Sequence, residues 1–544
     1  MKAFCLMWLL LVGQCFVIPV WGLNFYTAAV YEHPAVLTPS SKIPSTHEEA
    51  MKLMQKNLDI YQEQVHVASK QGVKIIVFPE EGLHGFHSNR ASMFPYLEPI
   101  PDPNVVQWNP CLQPTEYNDT EVLYQLSCMA RNGNMYLIAN MGERQACELN
   151  DPQCPPDGRY QFNTNVVFDA EGTLIAKYQK WNLYFEFAYD KPKTLQHVIF
   201  NTPFAGKFGI FTCFDILFYE PAVSLIEHYG VKQIVFPTAW MNQLPLLSAI
   251  EFHQAFAAAF GINLLAANQH HPEYNMTGSG IYTPLDFPYY YNAKSSEGKL
   301  LVAEVPIITS IKDHSPEQSK SQRTSDFLQR NSHIELSVLQ QQKRRVKPEK
   351  IGPLKHSTLS HVDSPGNIFH ALMMFDNYTF ISLKGKEGNL QVCSNSLCCH
   401  VAYEHANTPS DLYALGAFDG LHTVNGIYYL QVCALVKCAG SRYDTCGQNV
   451  TSASDIIGFK LWGNFSTRHI FPEILASEMK MYRADTIGWD KNDFYMTKNG
   501  MSAGLVTAAL YGRWYKRDSS SRGVCLKADA SPNHGKVSFF LNYG

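Results

Sequence analysis

Three side chains with the chemistry of a nucleophilic site each stand at or just beyond the end of an apolar run. Glu80 follows VKIIVFP, Lys180 follows TLIAKYQ, and Cys213 ends FGIFTC. Short runs of this kind are typical of strands that are buried on both faces of a sheet. We expect the three strand ends to meet at one edge. There the acid would serve as a base, the thiol as the nucleophile and the ammonium group as a partner for a developing oxyanion.

Each of these residues also has a simpler interpretation when it is taken alone. Cys213 could be an inert buried thiol or the disulfide partner of Cys525, although a helix expected shortly after it would favour the thiolate. Glu80 and its neighbour Glu81 could be solvent-facing acids at a strand end, and Lys180 could be a surface lysine. The occurrence of all three residue types at strand ends is what favours one joint site.

The elements that must position these residues belong to an α/β region. Apolar strands alternate with amphipathic helices over residues 24–308, which predicts an α/β domain with largely buried sheets. The first helix is expected to begin near Ser45, because Ser45 and Glu48 have the spacing of a capping box. Further helical stretches are expected at 218–229 and 246–260.

The second half of the chain has a different character. Residues 309–351 are polar and then basic, which predicts an exposed connection. Short strands dominate after it, and Asn425-Gly426 is predicted as the turn of a β-hairpin. The predicted segments are a signal peptide at 1–22, an α/β domain at 23–310, an exposed linker at 311–351, a β-rich domain at 352–516 and a polar tail at 517–544.

The N-terminus and five glycosylation sequons predict export. Lys2 precedes an apolar stretch at residues 3–12, and Val20 and Gly22 offer small residues for cleavage. The sequons lie at Asn118, Asn275, Asn377, Asn449 and Asn464. The final KVSFFLNYG is too short and too polar for a membrane span or a glycolipid-anchor signal. We therefore expect a secreted, extracellular protein without a membrane anchor.

The cysteines are typical of an exported protein. If Cys5 and Cys15 leave with the signal and Cys213 is the nucleophile, an odd number remains, and Cys525 is the candidate for the unpaired thiol. Groups that could form disulfides are Cys111 with Cys128, Cys147 with Cys154, and the set Cys393, Cys398, Cys399, Cys433, Cys438 and Cys446. A zinc site is the alternative for the last set, but histidines at ligand spacing are not interleaved with it.

Composition excludes some classes of partner. A length of 544 residues predicts more than one domain, and 46% hydrophobic with 17% charged residues is typical of globular proteins. The formal net charge of −4 gives no reason to expect nucleic acid or an anionic membrane as a partner. A small-molecule substrate is the partner that the three reactive residues favour.

The motifs around these residues resemble those of the nitrilase superfamily of carbon–nitrogen hydrolases, whose catalytic triad is Glu, Lys and Cys. The matching residues are Glu80 in FPEEG, Lys180 in YQKWNLY and Cys213 in GIFTCFD. Within this superfamily, the chain is similar to the biotinidase and vanin branch over almost the whole length after the signal. Segments that carry the similarity are DGRYQFNTNVVF, FPTAWMNQLPLL, MTGSGIYTP, ALGAFDGLHTV and VTAALYGR.

Several segments are more similar to the biotinidase side of this branch than to the vanins, which are pantetheinases. They are NLYFEFAYD, NQLPLLSAIE and KEGNLQVCSNSLCC. Vanins usually end in a glycolipid-anchor signal, which we do not expect here. The tail after Arg517 matches neither side of the branch.

The resemblance implies a nitrilase-type α-β-β-α sandwich with a smaller β-rich C-terminal domain. It implies that Glu80, Lys180 and Cys213 are catalytic, that the N–H of Phe214 helps to hold the oxyanion, and that no metal or organic cofactor is required. The implied activity is release of biotin from biocytin and short biotinyl peptides through a cysteine thioester. A pantetheinase and a non-catalytic secreted vitamin-binding protein are the alternatives. We expect a monomer, because the C-terminal domain would cover a face that superfamily members use for pairing.

Substrate contacts are predicted from aromatic and polar residues near the reactive groups. Tyr184, Phe185 and Glu186 follow the lysine, and Trp240 follows the apolar run QIVFPTA. With Phe214, they would supply aromatic walls and hydrogen-bonding groups for a flat bicyclic ring. Core packing is the alternative for Trp240 and Phe185, and Glu186 could instead orient Lys180 or Cys213.

Overall fold

The computed structural model describes residues 24–37, 44, 46–86, 89–148, 150–308 and 367–518. The predicted signal peptide, the predicted linker and Cys525 lie outside the described residues, as does Ser45. Among the described residues, no helix is long and apolar enough to cross a membrane.

The first part of the chain alternates strands and helices. Its strands are β1 (Phe25–Glu32), β2 (Ile75–Val77), β3 (Tyr136–Ala146), β4 (Arg159–Phe168), β5 (Leu174–Gln179), β6 (Ile199–Thr202), β7 (Gly206–Ile210), β8 (Gln233–Pro237), β9 (Asn263–Ala267), β10 (Ser279–Tyr282), β11 (Tyr289–Tyr290) and β12 (Lys299–Pro306). Its α-helices are α1 (His47–Ser69), α2 (Arg90–Met93), α3 (Glu121–Gly133), α4 (Ser224–Glu227) and α5 (Ala249–Phe260). Shorter helical turns lie at Phe94–Tyr96, Cys213–Leu217, Tyr219–Val223 and Pro272–Tyr274.

These strands form two six-stranded sheets of matching design. The first has the order β12-β1-β2-β3-β4-β5 and the second the order β11-β10-β9-β8-β7-β6. In each sheet the three central strands are parallel and the outer strands are antiparallel. β2 and β7 each belong to the parallel part of their sheet. The segments with Glu80 and Cys213 follow these strands, so each leaves its sheet at the carboxyl end of the parallel strands.

The two sheets pack face to face between layers of helix. Along β1, Ala28 and Val30 join the core between the sheets, whereas Ala29 and Tyr31 join the core beneath α1 and α3. This alternation explains why the strand has an unbroken apolar run from Ala28 to Tyr31, since both of its faces are covered. The predicted α-β-β-α sandwich is confirmed.

The start of α1 differs from the prediction. The cap is Thr46, whose hydroxyl accepts from the Glu49 N–H at 3.2 Å, and the helix runs from His47. The observed cap therefore lies one residue after the predicted Ser45, and Thr46 and Glu49 have the same spacing as Ser45 and Glu48.

The C-terminal domain is built almost entirely from strands. They are β13 (Ile368–Met373), β14 (Asp376–Ser382), β15 (Glu387–Ser394), β16 (Leu397–His405), β17 (Tyr413–His422), β18 (Tyr428–Lys437), β19 (Ile457–Gly463), β20 (His469–Ala476), β21 (Lys480–Met481), β22 (Thr486–Asp490), β23 (Asp493–Lys498) and β24 (Leu505–Arg513), followed by α6 (Tyr515–Asp518). Short turns of 3-10 helix lie at Tyr443–Thr445 and Ser477–Met479. All its described strand pairs are antiparallel, which confirms the predicted β-rich domain.

This domain is a sandwich of a seven-stranded and a five-stranded sheet. The larger sheet has the order β13-β14-β17-β18-β24-β20-β21 and the smaller the order β15-β16-β19-β23-β22. The predicted hairpin joins β17 to β18, with Asn425 and Gly426 both at positive φ in its loop. The loop spans residues 423–427 and is therefore longer than the two-residue turn that the sequence predicts.

Disulfides brace both domains. The described bridges are Cys111–Cys128, Cys147–Cys154, Cys393–Cys398, Cys399–Cys433 and Cys438–Cys446. The six cysteines of the C-terminal domain thus pair with one another, as one of the two interpretations of the sequence required. Cys213 is a free, buried thiol.

The outer face of α5 is covered by the larger sheet of the C-terminal domain. The ring of Phe471 on β20 lies 5.6 Å from that of Phe252 and 5.6 Å from that of Phe256. Arg513, which is fully buried, crosses the same boundary and donates to the Leu217 carbonyl at 2.8 Å. The two domains therefore share one continuous apolar core.

Two acids are buried in this interface and form no ion pair with a described residue. Glu251 lies on α5 and Glu473 on β20, and within the described chain Glu251 Oε1 and both carboxyl oxygens of Glu473 lack a hydrogen-bond partner. Burial raises the pKa of Glu251 to about 8 despite a hydrogen bond from Ser248. Burial and the neighbouring Glu251 raise the pKa of Glu473 well above its usual value. The interface therefore favours the protonated, neutral form of both carboxyl groups.

We predict that this pair makes the protein less stable as the pH rises. A raised carboxyl pKa contributes stability that is fully present below the unfolded-state pKa and is lost progressively as the pH rises to the folded-state value of about 8. The melting temperature should fall between about pH 5 and pH 8, and Glu251→Gln should flatten this fall. Exposed Glu116→Gln is the control and should keep the wild-type slope. Parallel slopes for Glu251→Gln and wild type would contradict the assignment.

Candidate active site

Glu80 lies just beyond β2 and is held by three donors. Its Oε1 accepts from Lys180 Nζ at 2.6 Å and from Asn163 Nδ2 at 2.8 Å, and its Oε2 accepts from the Ala239 N–H at 3.0 Å. The side chain is only 2% exposed. A carboxylate with this many donors is fixed in one orientation, as a general base requires.

Lys180 follows β5 directly and is buried between two acids. Its Nζ lies 2.6 Å from Glu80 Oε1 and 2.6 Å from Glu186 Oε2. Burial alone would lower the pKa of this lysine, but Glu186 and Glu80 together raise it well above the usual value. The ammonium group therefore stays charged at neutral pH and is a fixed positive point beside the thiol.

Glu186 completes the surroundings of the lysine. It accepts from Asn163 Nδ2 at 2.5 Å and from the Tyr184 N–H at 2.9 Å. Burial raises the pKa of Glu186, Lys180 opposes this rise, and Glu80 adds to it. The expectation that Glu186 could orient Lys180 matches this geometry, since it contacts the ammonium group directly.

Cys213 begins a 3-10 turn of five residues and has a φ of +43°. Few residues other than glycine adopt this conformation, and it persists only where the surroundings impose it. The next acid, Asp215, accepts from the Thr212 N–H at 3.1 Å and ties the turn to the strand before it. The strand itself ends at Ile210, earlier than the sequence predicts.

The thiol of Cys213 is neutral in this environment. Burial raises its pKa far above the usual value, Glu80 raises it further, and Lys180 offsets only part of the effect. A helix after the cysteine would favour the thiolate, but the raised pKa shows that this effect does not dominate here. The helical turn begins at the cysteine itself and is too short for a substantial dipole, so desolvation dominates.

A buried polar network that the sequence analysis missed links the three strand ends. Asn140 Nδ2 donates to Asn163 Oδ1 at 2.6 Å and to Asn165 Oδ1 at 2.8 Å, and Asn165 donates to Thr212 Oγ1 at 2.7 Å. The sequence signal was available, because Asn163 and Asn165 are polar residues two apart in the strand QFNTNVVF. This network connects the Glu80 side of the site to the residue before the nucleophile.

Asp215 also joins the nucleophile turn to the loop after the lysine. It accepts from the Tyr178 hydroxyl at 2.6 Å and from the Asn182 N–H at 2.9 Å. Because Tyr178 and Asn182 flank Lys180 in sequence, the lysine and the thiol are held on one rigid unit.

Glu81 is buried, which corrects the expectation of a solvent-facing acid. It is about 5% exposed and has a φ of +53°. Burial, then Glu186 and Glu80, raise the pKa of Glu81 well above its usual value. Glu81 is therefore a third buried acid, after Glu80 and Glu186, near the ammonium group of Lys180, with which Asp215 also interacts.

The other predicted substrate residues fall into two groups. Tyr184 and Phe185 pack with ring centroids 4.9 Å apart, and the ring of Phe214 lies 5.0 Å from that of Tyr184. Phe185 is half exposed at 50%, so these rings form an aromatic rim beside Cys213. Trp240 instead donates from Nε1 to the Leu247 carbonyl at 2.9 Å and is buried, which favours the core-packing alternative for that residue.

The C-terminal domain reaches this rim through its hairpin loop. Gly426 has a φ of +142°, and a Cβ at this position would lie 2.8 Å from Cζ of Phe214. Glycine is therefore needed there both for its backbone conformation and for the close approach. The ring next to the nucleophile is thus packed against the second domain.

We predict that Lys180→Met destabilises the fold by about 3–5 kcal/mol, because it leaves buried carboxylates without their cation. The loss should be smaller at acid pH, where Glu186, whose pKa is already raised, takes up a proton. Denaturant unfolding at two pH values measures both effects. The matched control is Lys52→Met, which removes an exposed pair with Glu48 and should leave the free energy of unfolding nearly unchanged. Equal losses for the two variants would contradict the prediction.

Comparisons with known proteins agree with this geometry. The Carbon-nitrogen hydrolase family model matches residues 29–274, and the Vanin C-terminal domain model matches residues 368–518. A relative from Mus musculus named Biotinidase is 52% identical over 91% of this chain and 94% of its own length. The Homo sapiens Biotinidase is 51% identical over 91% of this chain and 90% of its own length.

Pantetheinases are related over the same span at lower identity. The Homo sapiens Pantetheinase is 43% identical over 92% of this chain and 92% of its own length. The match at both domains, with the acid, ammonium and thiol gathered at the strand ends, identifies the class of protein. The chain belongs to the biotinidase and vanin branch of the carbon–nitrogen hydrolase family and is a hydrolase that acts on amide bonds.

Proposed function

We propose that this chain is a secreted amidohydrolase that releases biotin from biocytin and short biotinyl peptides. Glu80, Lys180 and Cys213 are its catalytic residues, and the acyl group passes through a thioester on Cys213. The observation that carries the proposal is the bond between Lys180 Nζ and Glu80 Oε1 at 2.6 Å, beside a buried free thiol. The identity of 52% to a Biotinidase, against 43% to a Pantetheinase, supports the choice of substrate.

The reaction begins with proton transfer from a neutral thiol. Because burial and Glu80 keep the Cys213 pKa high, the sulfur becomes nucleophilic only as Glu80 takes its proton. Sulfur then attacks the carbonyl carbon of the amide, and the negative charge moves to the carbonyl oxygen. Coupling the two events keeps the resting thiol protected from oxidants and alkylating agents.

The oxyanion is stabilised by a charge that is already in place. Lys180 remains protonated between Glu80 and Glu186, and the Phe214 N–H is the second donor. Pre-positioned donors of this kind require no reorganisation during the reaction. Phe214 is itself braced by Gly426 of the C-terminal domain, which fixes the backbone next to the nucleophile.

The second half of the reaction reuses Glu80. It gives its proton to the leaving nitrogen as the carbon–nitrogen bond breaks, and the amine departs. Glu80 then takes a proton from water, whose oxygen attacks the thioester, and returns it to sulfur as the acid leaves. Every proton in this cycle is carried by Glu80, which its three fixed donors keep in position.

Secretion and glycosylation belong to the same proposal. The described disulfides support an oxidising compartment. The sequon asparagines are all exposed: Asn118, Asn275, Asn377, Asn449 and Asn464. The monomeric state remains a prediction; it is supported by the C-terminal domain, which covers α5.

Loss of the sulfur or of the base should abolish turnover. We predict that Cys213→Ala reduces biocytin hydrolysis to background and that Glu80→Gln lowers kcat by about 10²–10⁴-fold, since proton transfer is lost. Release of biotin by the purified protein is the measurement. Glu116→Gln, in an exposed loop, is the control and should retain full activity. Full retention of activity by Cys213→Ala would refute the proposal.

The substrate is tested by direct competition of two amides. We predict a higher kcat/KM for biocytin than for pantetheine, measured on the same preparation of wild-type protein. A pantetheinase is the second candidate because relatives with that name are 42–44% identical over 92% of the chain. A higher value for pantetheine would reverse the assignment of the substrate and leave the proposed catalytic residues unchanged.

A further inference from the structure

The proposed reaction makes no use of Glu81, although this acid is buried next to Glu80. Its backbone has a φ of +53°, a conformation that an L-residue adopts only under constraint. The constraint is visible, since the Glu81 N–H donates to Asn140 Oδ1 at 2.8 Å, within the asparagine network of the site. The fold thus maintains a strained backbone to keep this side chain where it is.

The carboxyl group of Glu81 has charged neighbours but forms no hydrogen bond with a described residue. It interacts with the carboxylates of Glu186 and Glu80 and with the ammonium group of Lys180. The buried Tyr189 hydroxyl is the other titratable group that senses it. Lys180 Nζ is already bonded to Glu80 and Glu186. Within the described residues, neither carboxyl oxygen of Glu81 makes a hydrogen bond, and neither is sealed from solvent.

Glu80, Glu81 and Glu186 cannot all be ionised around one ammonium group, with which the buried Asp215 carboxyl also interacts. Like charges at short range in a poorly solvated site force one member to keep its proton. Glu80 and Glu186 share the cation, whereas Glu81 does not, so Glu81 is the acid that stays protonated. A protonated carboxyl is a hydrogen-bond donor, and an unbonded donor at the edge of an active site is available to a ligand.

We propose that Glu81 is a substrate-binding residue that donates a hydrogen bond from its protonated carboxyl group to a neutral carbonyl oxygen of the substrate. This inference rests on the proposed function, because it assumes that an amide or ureido substrate enters the site beside Glu80. An anionic group is a poor partner there, since Glu80 and Glu186 already supply negative charge. The residue therefore selects for uncharged acceptors.

The proposal has a definite pH dependence. A carboxyl whose folded-state pKa is raised holds its proton at low pH and releases it as the pH rises through that value. Substrate binding should therefore weaken on the alkaline side. Glutamine keeps an N–H donor at the same position but does not titrate, so Glu81→Gln separates donation from ionisation.

The test compares wild type, Glu81→Gln and Glu81→Ala as full-length proteins. We expect Glu81→Gln to retain kcat/KM for biocytin within about threefold at about pH 6 and to lose the alkaline fall in kcat/KM. Glu81→Ala should lower kcat/KM by about 10–100-fold, mainly through KM, because the donor is gone. Melting temperatures check that both variants fold.

The outcomes separate this inference from the proposed function. If wild type turns over biocytin and folded Glu81→Ala matches it, the role of Glu81 is overturned while the function stands. If folded Glu81→Gln loses as much kcat/KM as Glu81→Ala, the claim that residue 81 acts by donating a hydrogen bond is overturned. A wild-type protein that leaves biocytin intact would overturn the proposed function, and the same three proteins would then test Glu81 with pantetheine.

Discussion

The ammonium group of Lys180 is the interaction on which the site depends. It lies 2.6 Å from one oxygen of Glu80 and 2.6 Å from one oxygen of Glu186, in surroundings that exclude most water. Without this charge, the buried acids would repel one another and the loops that carry them would separate. A single cation therefore holds the site together and supplies its electrostatic field.

The gathering of acid, lysine and thiol could be predicted from sequence, because each follows a short apolar strand. The protonation states of these groups could not be predicted from sequence. The raised pKa values of the Cys213 thiol and the Glu81 carboxyl result from burial and from charged groups that the fold brings together, and neither appears in a local pattern. The contact of Glu186 with Lys180 was one of two alternatives, and only the folded loop distinguishes them.

The fold shows the same division between local and distant causes. Strands buried on both faces and the β-rich C-terminal domain follow from periodicity and turn residues, so the fold class was predictable. Element ends were less so: α1 is capped by Thr46, and β7 ends at Ile210. The union of the two domains had no local signal at all. It depends on contacts such as Phe471 with Phe252, which join residues from separate domains.

The bond from Arg513 to the Leu217 carbonyl has a consequence for biosynthesis. Leu217 ends the turn that carries the nucleophile, and its partner lies 296 residues further along the chain. During translation, both sheets of the first domain are synthesised long before β24. The Leu217 carbonyl therefore lacks its hydrogen-bond donor, Arg513, until β24 has been made. Maturation of the nucleophile turn is thereby deferred until almost all of the described polypeptide has been translated. A nascent chain that terminates early would leave this turn incomplete.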